Sequence, residues 1–294
     1  MQDRIADLDG PVHYADFGGR GRPIVLVHGL GGSCLNWLPV GAALAAHGRV
    51  LALDLAGHGR TPALGRSARV GDNRRLLARF LAEVAREPAV LVGNSMGGYL
   101  SLAEAALEPG RVTSLVLVDP ALPMARGGGV DRRVLAMLLG LSVPLLGEAL
   151  MRRRARRGPE RMVRDLLALC GIDPARLAPD VYEAHVALAR EREPLARAGG
   201  RDFLRAQRSL VARLFRRRRF FRMIATVRAP ALIVQGERDR LVRVEAARAF
   251  AAARPDWRLV VLDGVGHAPQ LEAPDRFLAA VEPWLDGRAE ESTA

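Results

Sequence analysis

The 294-residue chain contains no lysine: all 44 of its basic residues are arginine. Its 2 cysteines are too few for a disulfide scaffold, and 30 glycines and 18 prolines, without a repeat, exclude collagen-like and low-complexity chains. Aromatics make up only 5% of the residues, which leaves little with which to stack nucleobases. A membrane-spanning helix needs about 20 largely uninterrupted apolar residues. The longest apolar run, Val134 to Met151, is broken by Gly140, Pro144, Gly147 and Glu148 and is read as non-spanning. Nor do residues 1–7 show the basic-then-apolar pattern of a secretory leader, so Cys34 and Cys170 are expected as free thiols in a reducing, cytoplasmic setting. What is present is 49% apolar and 26% charged residues. That is the balance of a folded protein able to bury roughly three quarters of its unfolded surface.

The net charge of +12 is unevenly placed. Residues 124–222 carry 23 Arg against 10 acidic residues, while the rest of the chain carries 21 against 22. A protein binding nucleic acid over its whole surface need not segregate charge in this way. The Arg runs also carry no recognition motif, so nucleic acid is not an expected partner.

Short apolar runs alternate with amphipathic stretches of helical period, the pattern of a parallel α/β sheet. Strands are predicted at 24–28, 50–54, 89–93, 112–119, 231–235 and 258–262, and their continuous Val/Leu/Ile character fits strands covered on both faces. Helices are predicted up to His47, over 67–86, 96–107, 244–253 and 274–285. From Met124 to Arg222 the rhythm breaks. Only helix-like Leu/Ala/Arg stretches punctuated by proline occur there, so residues 124–222 read as a helical insertion into a core formed by 1–123 and 223–294.

Gly93-Asn94-Ser95-Met96-Gly97 stands where a predicted strand meets a predicted helix. A turn that sharp forces its central residue into a strained backbone conformation and leaves no room for side chains two residues to either side. A serine so placed is a candidate nucleophile, but its hydroxyl needs a base that is itself oriented by a carboxylate. Among the six histidines His267, just past the last predicted strand, is the expected base. His28 and His58 lie in glycine turns and read as loop-ordering, whereas His13, His47 and His185 lack catalytic context. The acid is expected at Asp239, after strand 231–235, with Asp119 at the end of strand 112–119 as the alternative and Glu237 as a third choice. Backbone amides of Met96 and Leu30 are the expected donors to a developing oxyanion. No His/Cys/Asp/Glu set has metal-ligand spacing, and the turn His28–Gly32 lacks the G-x-G-x-x-G spacing of a dinucleotide site, so no metal or cofactor is expected.

Taken in order, His28-Gly29, Asp54-Leu-Ala-Gly-His-Gly-Arg-Thr61, Gly93-Asn-Ser-Met-Gly97, Gly236-Glu-Arg-Asp239 and Gly266-His267 resemble the α/β-hydrolase superfamily, in its lid-bearing esterase/lipase-like branch. The resemblance covers about residues 10–122 and 223–286. It implies an eight-stranded, mostly parallel sheet with a helical cap inserted after the sixth strand. It also implies the chain order nucleophile, acid, base, which either Asp239 or Asp119 would satisfy. Related haloalkane dehalogenases and epoxide hydrolases carry Asp at the elbow, where this chain has Ser95. The expectation is therefore a serine hydrolase acting on a small-molecule ester with a hydrophobic acyl group, with a C–C bond hydrolase or thioesterase as alternatives. The Arg-bordered apolar segments of the cap are expected to pack over the site with their charges in water. A second expectation for them is contact with an anionic membrane surface, and a third an acidic acyl-thioester ligand.

Overall fold

The computed structural model describes residues 1–123 and 131–290, so residues 124–130 of the predicted insertion lie outside it. Eight strands, β1 (Gln2–Asp7), β2 (Pro11–Gly18), β3 (Pro23–Val27), β4 (Arg49–Leu53), β5 (Ala89–Asn94), β6 (Val112–Val118), β7 (Ala231–Gly236) and β8 (Arg258–Leu262), form one sheet. Its order is β1-β2-β4-β3-β5-β6-β7-β8. β2 runs antiparallel to both neighbours and every other pairing is parallel, giving the mostly parallel α/β-hydrolase sheet that the resemblance implies.

Alternation along each inner strand divides the apolar residues between two cores. Val25, Val27, Leu91, Leu115 and Leu117 point to one face, with Leu77 and Phe80 of α2 (Val70–Phe80) and Leu100 of α3 (Met96–Leu107). Ile24, Leu26, Val92, Val116 and Val118 point to the other. There they meet Val40 and Leu44 of α1 (Leu38–Leu44) and Phe277 and Val281 of the C-terminal helix, Pro274–Glu290. Each such side chain, fully buried, contributes roughly 1.5–3 kcal/mol over leaving it exposed.

β6 pairs directly with β7 although more than a hundred residues separate them in sequence. Among the described residues seven α-helices occupy the interval: α4 (Arg132–Ser142), α5 (Leu146–Ala155), α6 (Pro159–Leu169), α7 (Pro179–Glu191), α8 (Glu193–Arg197), α9 (Arg201–Leu214) and α10 (Arg217–Ala225). Leu141, Met151 and Leu204 tie α4, α5 and α9 together. Val163, Leu167, Val181 and Val186 of α6 and α7 pack on Ala268 and Leu271, just beyond His267. After β7 come α11 (Val244–Ala252), α12 (Pro269–Glu272) and the C-terminal helix α13 (Pro274–Glu290).

Three expectations change. The helix predicted over 67–86 is regular only from Val70 to Phe80; it widens through Leu81–Ala85 and stops at Arg86, which has φ 66°. β1 and β2 were not foreseen from apolar runs, because β1 is a polar, exposed edge strand. Phe220 follows Arg216–Arg219 in one of the Arg-bordered segments, and there the second expectation, membrane contact, gives way to the first: its ring lies in the main core, 6.0 Å from Tyr99 and 5.9 Å from Phe250.

Candidate active site

The strand order turns back at β3: the chain crosses to β4 on one side and then to β5 on the other. The loops after β3 and β5 therefore part at a crevice above the C-terminal ends of the strands, the place where open α/β sheets bind ligands. Ser95 sits in that crevice between β5 and α3 with φ 54° and ψ −115°. Such a conformation in a non-glycine residue is retained only where its surroundings over-determine it. Ser95 N–H donates to Val118 O at 2.9 Å, and Ser95 O accepts from Ala121 N at 2.9 Å. The flanking glycines are sterically required: a Cβ on Gly97 would stand 2.0 Å from Val27 O, and one on Gly93 would stand 2.5 Å from Gly97 O.

His267 Nδ1 lies 2.6 Å from Asp239 Oδ2, both side chains being buried. With that acceptor fixed, Nδ1 carries the proton and Nε2 is the basic nitrogen. Nε2 is buried, has no protein partner, and belongs to a ring that lines the same cavity as Ser95. Asp239 is held in turn by the amides of Leu241 (2.7 Å) and Val242 (3.0 Å) and by Gln235 Nε2 at 3.2 Å. Asp119 does not contact His267 by a hydrogen bond. Its Oδ1 accepts from Gly236 N at 2.7 Å, and its Oδ2 is buried without a partner. Burial, followed by the nearby Asp239 carboxylate, pushes the Asp119 carboxyl well above its ordinary range. Of the two strand-end acids, the fold thus aims Asp239 at the imidazole and leaves Asp119 beside it, its carboxyl raised by burial and by the neighbouring carboxylate. Glu237 is turned away, accepting from Gly264 N at 2.9 Å.

The expected oxyanion donors belong to the two segments on either side of Ser95. Met96 is the first residue of α3, whose early amides have no intrahelical acceptor. A Cβ on Gly29 would lie 3.0 Å from Ser95 Cβ, so the β3 loop presses against the nucleophile, and the Leu30 amide has no acceptor among the described residues. His28 and His58 order their turns through Gly29 O (2.7 Å) and Ala56 O (3.1 Å). Burial depresses both, His58 to about 3, so neither carries charge near neutral pH.

Over Ser95 opens a cavity of about 250 Å³. Its walls are almost wholly apolar, from Leu135, Leu138 and Leu141 of α4, Leu166 of α6, Leu210 and Leu214 of α9, and Leu271 of α12. Beyond Ser95, His267 and the neighbouring Asn94, its polar side chains are Asn36, Cys170, His185 and Gln207. No arginine or carboxylate lines it among the described residues.

A family model described as the alpha/beta hydrolase family matches residues 24–280. The chain belongs to the alpha/beta hydrolase family. It is 31% identical over 271 residues to the dihydrolipoyllysine-residue acetyltransferase component of the acetoin cleaving system of Pseudomonas putida, over 90% of this chain and 64% of that one. The chain therefore spans less than two thirds of that relative. It is 27% identical over 285 residues to 2-hydroxy-6-oxononadienedioate/2-hydroxy-6-oxononatrienedioate hydrolase 1 of Dechloromonas aromatica (strain RCB), over 95% of this chain and 92% of that one. Among solved structures, a membrane phospholipase A described as a bacterial virulence factor matches with TM-score 0.71 and 25% identity, over 98% of this chain and 86% of that chain.

The hydrolase also uses residues that sequence reasoning passed over. Asn94, a variable position of the elbow, donates from Nδ2 to Val118 O (3.1 Å) and to His267 O (3.0 Å), tying the nucleophile's strand to the base's loop. The helices between β6 and β7 are latched to that same loop. His267 N–H donates to Cys170 O at 2.9 Å, and Arg176 donates to Glu272 Oε1 at 2.8 Å and Gly264 O at 3.0 Å. Glu272 Oε2 accepts from Gly266 N at 2.6 Å. The spacing Arg176-to-Glu272 offers no sequence signal. The fold also gathers His13, Cys34 and Asp54, a possible ligand set that linear spacing concealed. Asp54 is already committed to Cys34 N (2.6 Å), His13 Nδ1 (2.8 Å) and Arg60 N (2.8 Å), and burial raises the Cys34 thiol far above its ordinary pKa. Those donors brace β2 against β4 and do not form an open site.

Proposed function

We propose that this hydrolase cleaves carboxylic esters of hydrophobic acyl groups through an acyl-enzyme on Ser95. The observation that carries the reading is the joining of a Ser95–His267–Asp239 constellation to a cavity whose walls are aliphatic and, among the described residues, free of charge. Ser95 Oγ attacks the acyl carbonyl while His267 Nε2 takes its proton, and Asp239 Oδ2 supports the imidazolium through Nδ1–H. The amides of Leu30 and Met96 receive the oxyanion, an interaction worth several kcal/mol, about 2.7–4 per donor. His267 then protonates the departing alkoxide and next activates the water that releases the acid. The phospholipase A among the structural matches supports an ester reading.

A second reading, C–C bond cleavage, is favoured by the Dechloromonas relative, which covers nearly the whole chain. That relative's named substrates are dioates, which carry two carboxylates. Placing a carboxylate in an aliphatic pocket that has no cation among the described residues is strongly unfavourable, and this weighs for the ester.

The discriminating experiment is a series of p-nitrophenyl esters of rising acyl length run beside a dienol-ketone dicarboxylate. The ester reading expects kcat/KM to rise by up to about fourfold per added methylene, from roughly 0.8 kcal/mol per buried CH2, until the cavity is full. Faster turnover of the dicarboxylate than of every ester would replace it by the second reading.

A further inference from the structure

We propose that the corner between α4 and α5 docks this hydrolase onto an anionic lipid surface. Val143, Pro144, Leu145 and Leu146 are consecutive, apolar and all exposed. Leu145, at the apex, is 82% exposed and has φ 67°, a conformation that a branched apolar side chain rarely adopts. Folded proteins seldom show water such a run without a functional reason.

The apolar surface continues inward. Leu139, 51% exposed, and Phe215, 63% exposed, both also line the cavity over Ser95. A lipid tail leaving a membrane at this corner would therefore meet aliphatic surface all the way to the nucleophile. No single described helix is long and apolar enough to cross a membrane, and α4 and α5 are bent by 116° about the corner. Because Leu141 and Met151 turn into the cap's own core, the corner is suited to lie in the interface.

Charge identifies the surface. Leu146, Leu150 and Arg153 follow one another at i, i+4 and i+7 on one face of α5. Arg152, Arg153, Arg156, Arg216, Arg218 and Arg219 are exposed and have no ion-pair partner among the described residues. The corner's acid, Glu148, is already held by Arg208 at 3.0 Å. An apolar surface with unpaired arginine following the corner along α5 and following Phe215 into α10 complements acyl chains beneath anionic headgroups. A second copy would instead bring the same positive charge against its own. Docking of this kind is independent of which bond Ser95 attacks.

The test is co-sedimentation with phosphatidylcholine vesicles with and without phosphatidylglycerol. Binding is expected to be roughly tenfold or more tighter to the anionic vesicles and to weaken as salt rises. Leu145→Asp with Leu146→Asp, neither of which lines the cavity, should lower partitioning by about tenfold or more while leaving hydrolysis of a short soluble ester unchanged. Arg216→Ser with Arg218→Ser and Arg219→Ser should erase the preference for anionic vesicles. Ser95→Ala should bind as the unaltered protein does, so a failure of the ester reading would leave this result standing. Absence of binding, equal binding to both vesicles, or binding unaffected by the leucine changes would overturn the proposal. So would a dimer, seen by sedimentation velocity, that Leu145→Asp with Leu146→Asp dissociates.

Discussion

At the scale of single residues, the site turns on two buried aspartates at neighbouring strand ends with different hydrogen-bond partners. Asp239 receives two amides, one Gln side chain and the imidazole, whereas Asp119 receives one amide and faces a carboxylate. Asp239→Asn should lower kcat by about 10⁴, because the amide would favour the wrong imidazole tautomer. Asp119→Asn should leave kcat within severalfold, since Asp119 bonds the Gly236 amide and not His267, and an amide is nearly isosteric with its carboxyl. Steady-state turnover of one ester by the two variants decides between them. The same contrast has a stability consequence. The folded protein keeps the Asp119 proton above the ordinary value of 3.8, where the unfolded chain releases it. Its folded state therefore binds more protons, and stability falls as pH rises from about that value toward the raised one. Asp119→Asn removes this penalty, so its melting temperature relative to the unaltered protein should climb between pH 4 and pH 7. A flat difference would show that Asp119 is ionised.

At the scale of elements, the candidate site belongs to loop ends, and the helices between β6 and β7 secure them. Arg176 lies between α6 and α7, and the carboxylate it bonds is almost fully buried beside His267. Arg176→Ala would leave that carboxylate with the Gly266 amide, at a cost of roughly 1–3 kcal/mol. Urea unfolding should show this loss, and Glu272→Gln in the same chain should restore most of it. Turnover of a long-chain ester should fall by more than that of a short one, because only the former needs the cap held over the cavity. The central strands were legible because β3, β5, β6 and β7 are continuous apolar runs buried on both faces. β1 was not, because an edge strand exposed on both faces carries no apolar pattern to read. The elbow was legible for a steric reason. Only glycine fits at Gly93 and Gly97, so the backbone geometry is written in the residue types.

At the scale of the whole molecule, charge and chemistry are segregated. The positive excess between residues 124 and 222 lies in the helices that roof the cavity, while the cavity wall itself is free of charge among the described residues. Ser95 and His267 each stand out in local sequence, and the His267–Asp239 contact joins the preferred acid to the expected base. The bracing by Asn94, Gln235 and Glu272 does not stand out there, because it joins residues far apart in the chain through buried polar contacts without periodicity. The apolar character of the site was foreseeable only in outline, since it arises from α4, α6 and α9 converging on one space. The account rests on Ser95 becoming acylated there. Rapid quenching of the hydrolase with a long-chain p-nitrophenyl ester, followed by peptide mass mapping, tests it most directly. It predicts a stoichiometric burst of p-nitrophenol and an acyl mass on the peptide bearing Ser95, both lost in Ser95→Ala. An unlabelled Ser95 during turnover, or turnover retained by Ser95→Ala, would contradict it.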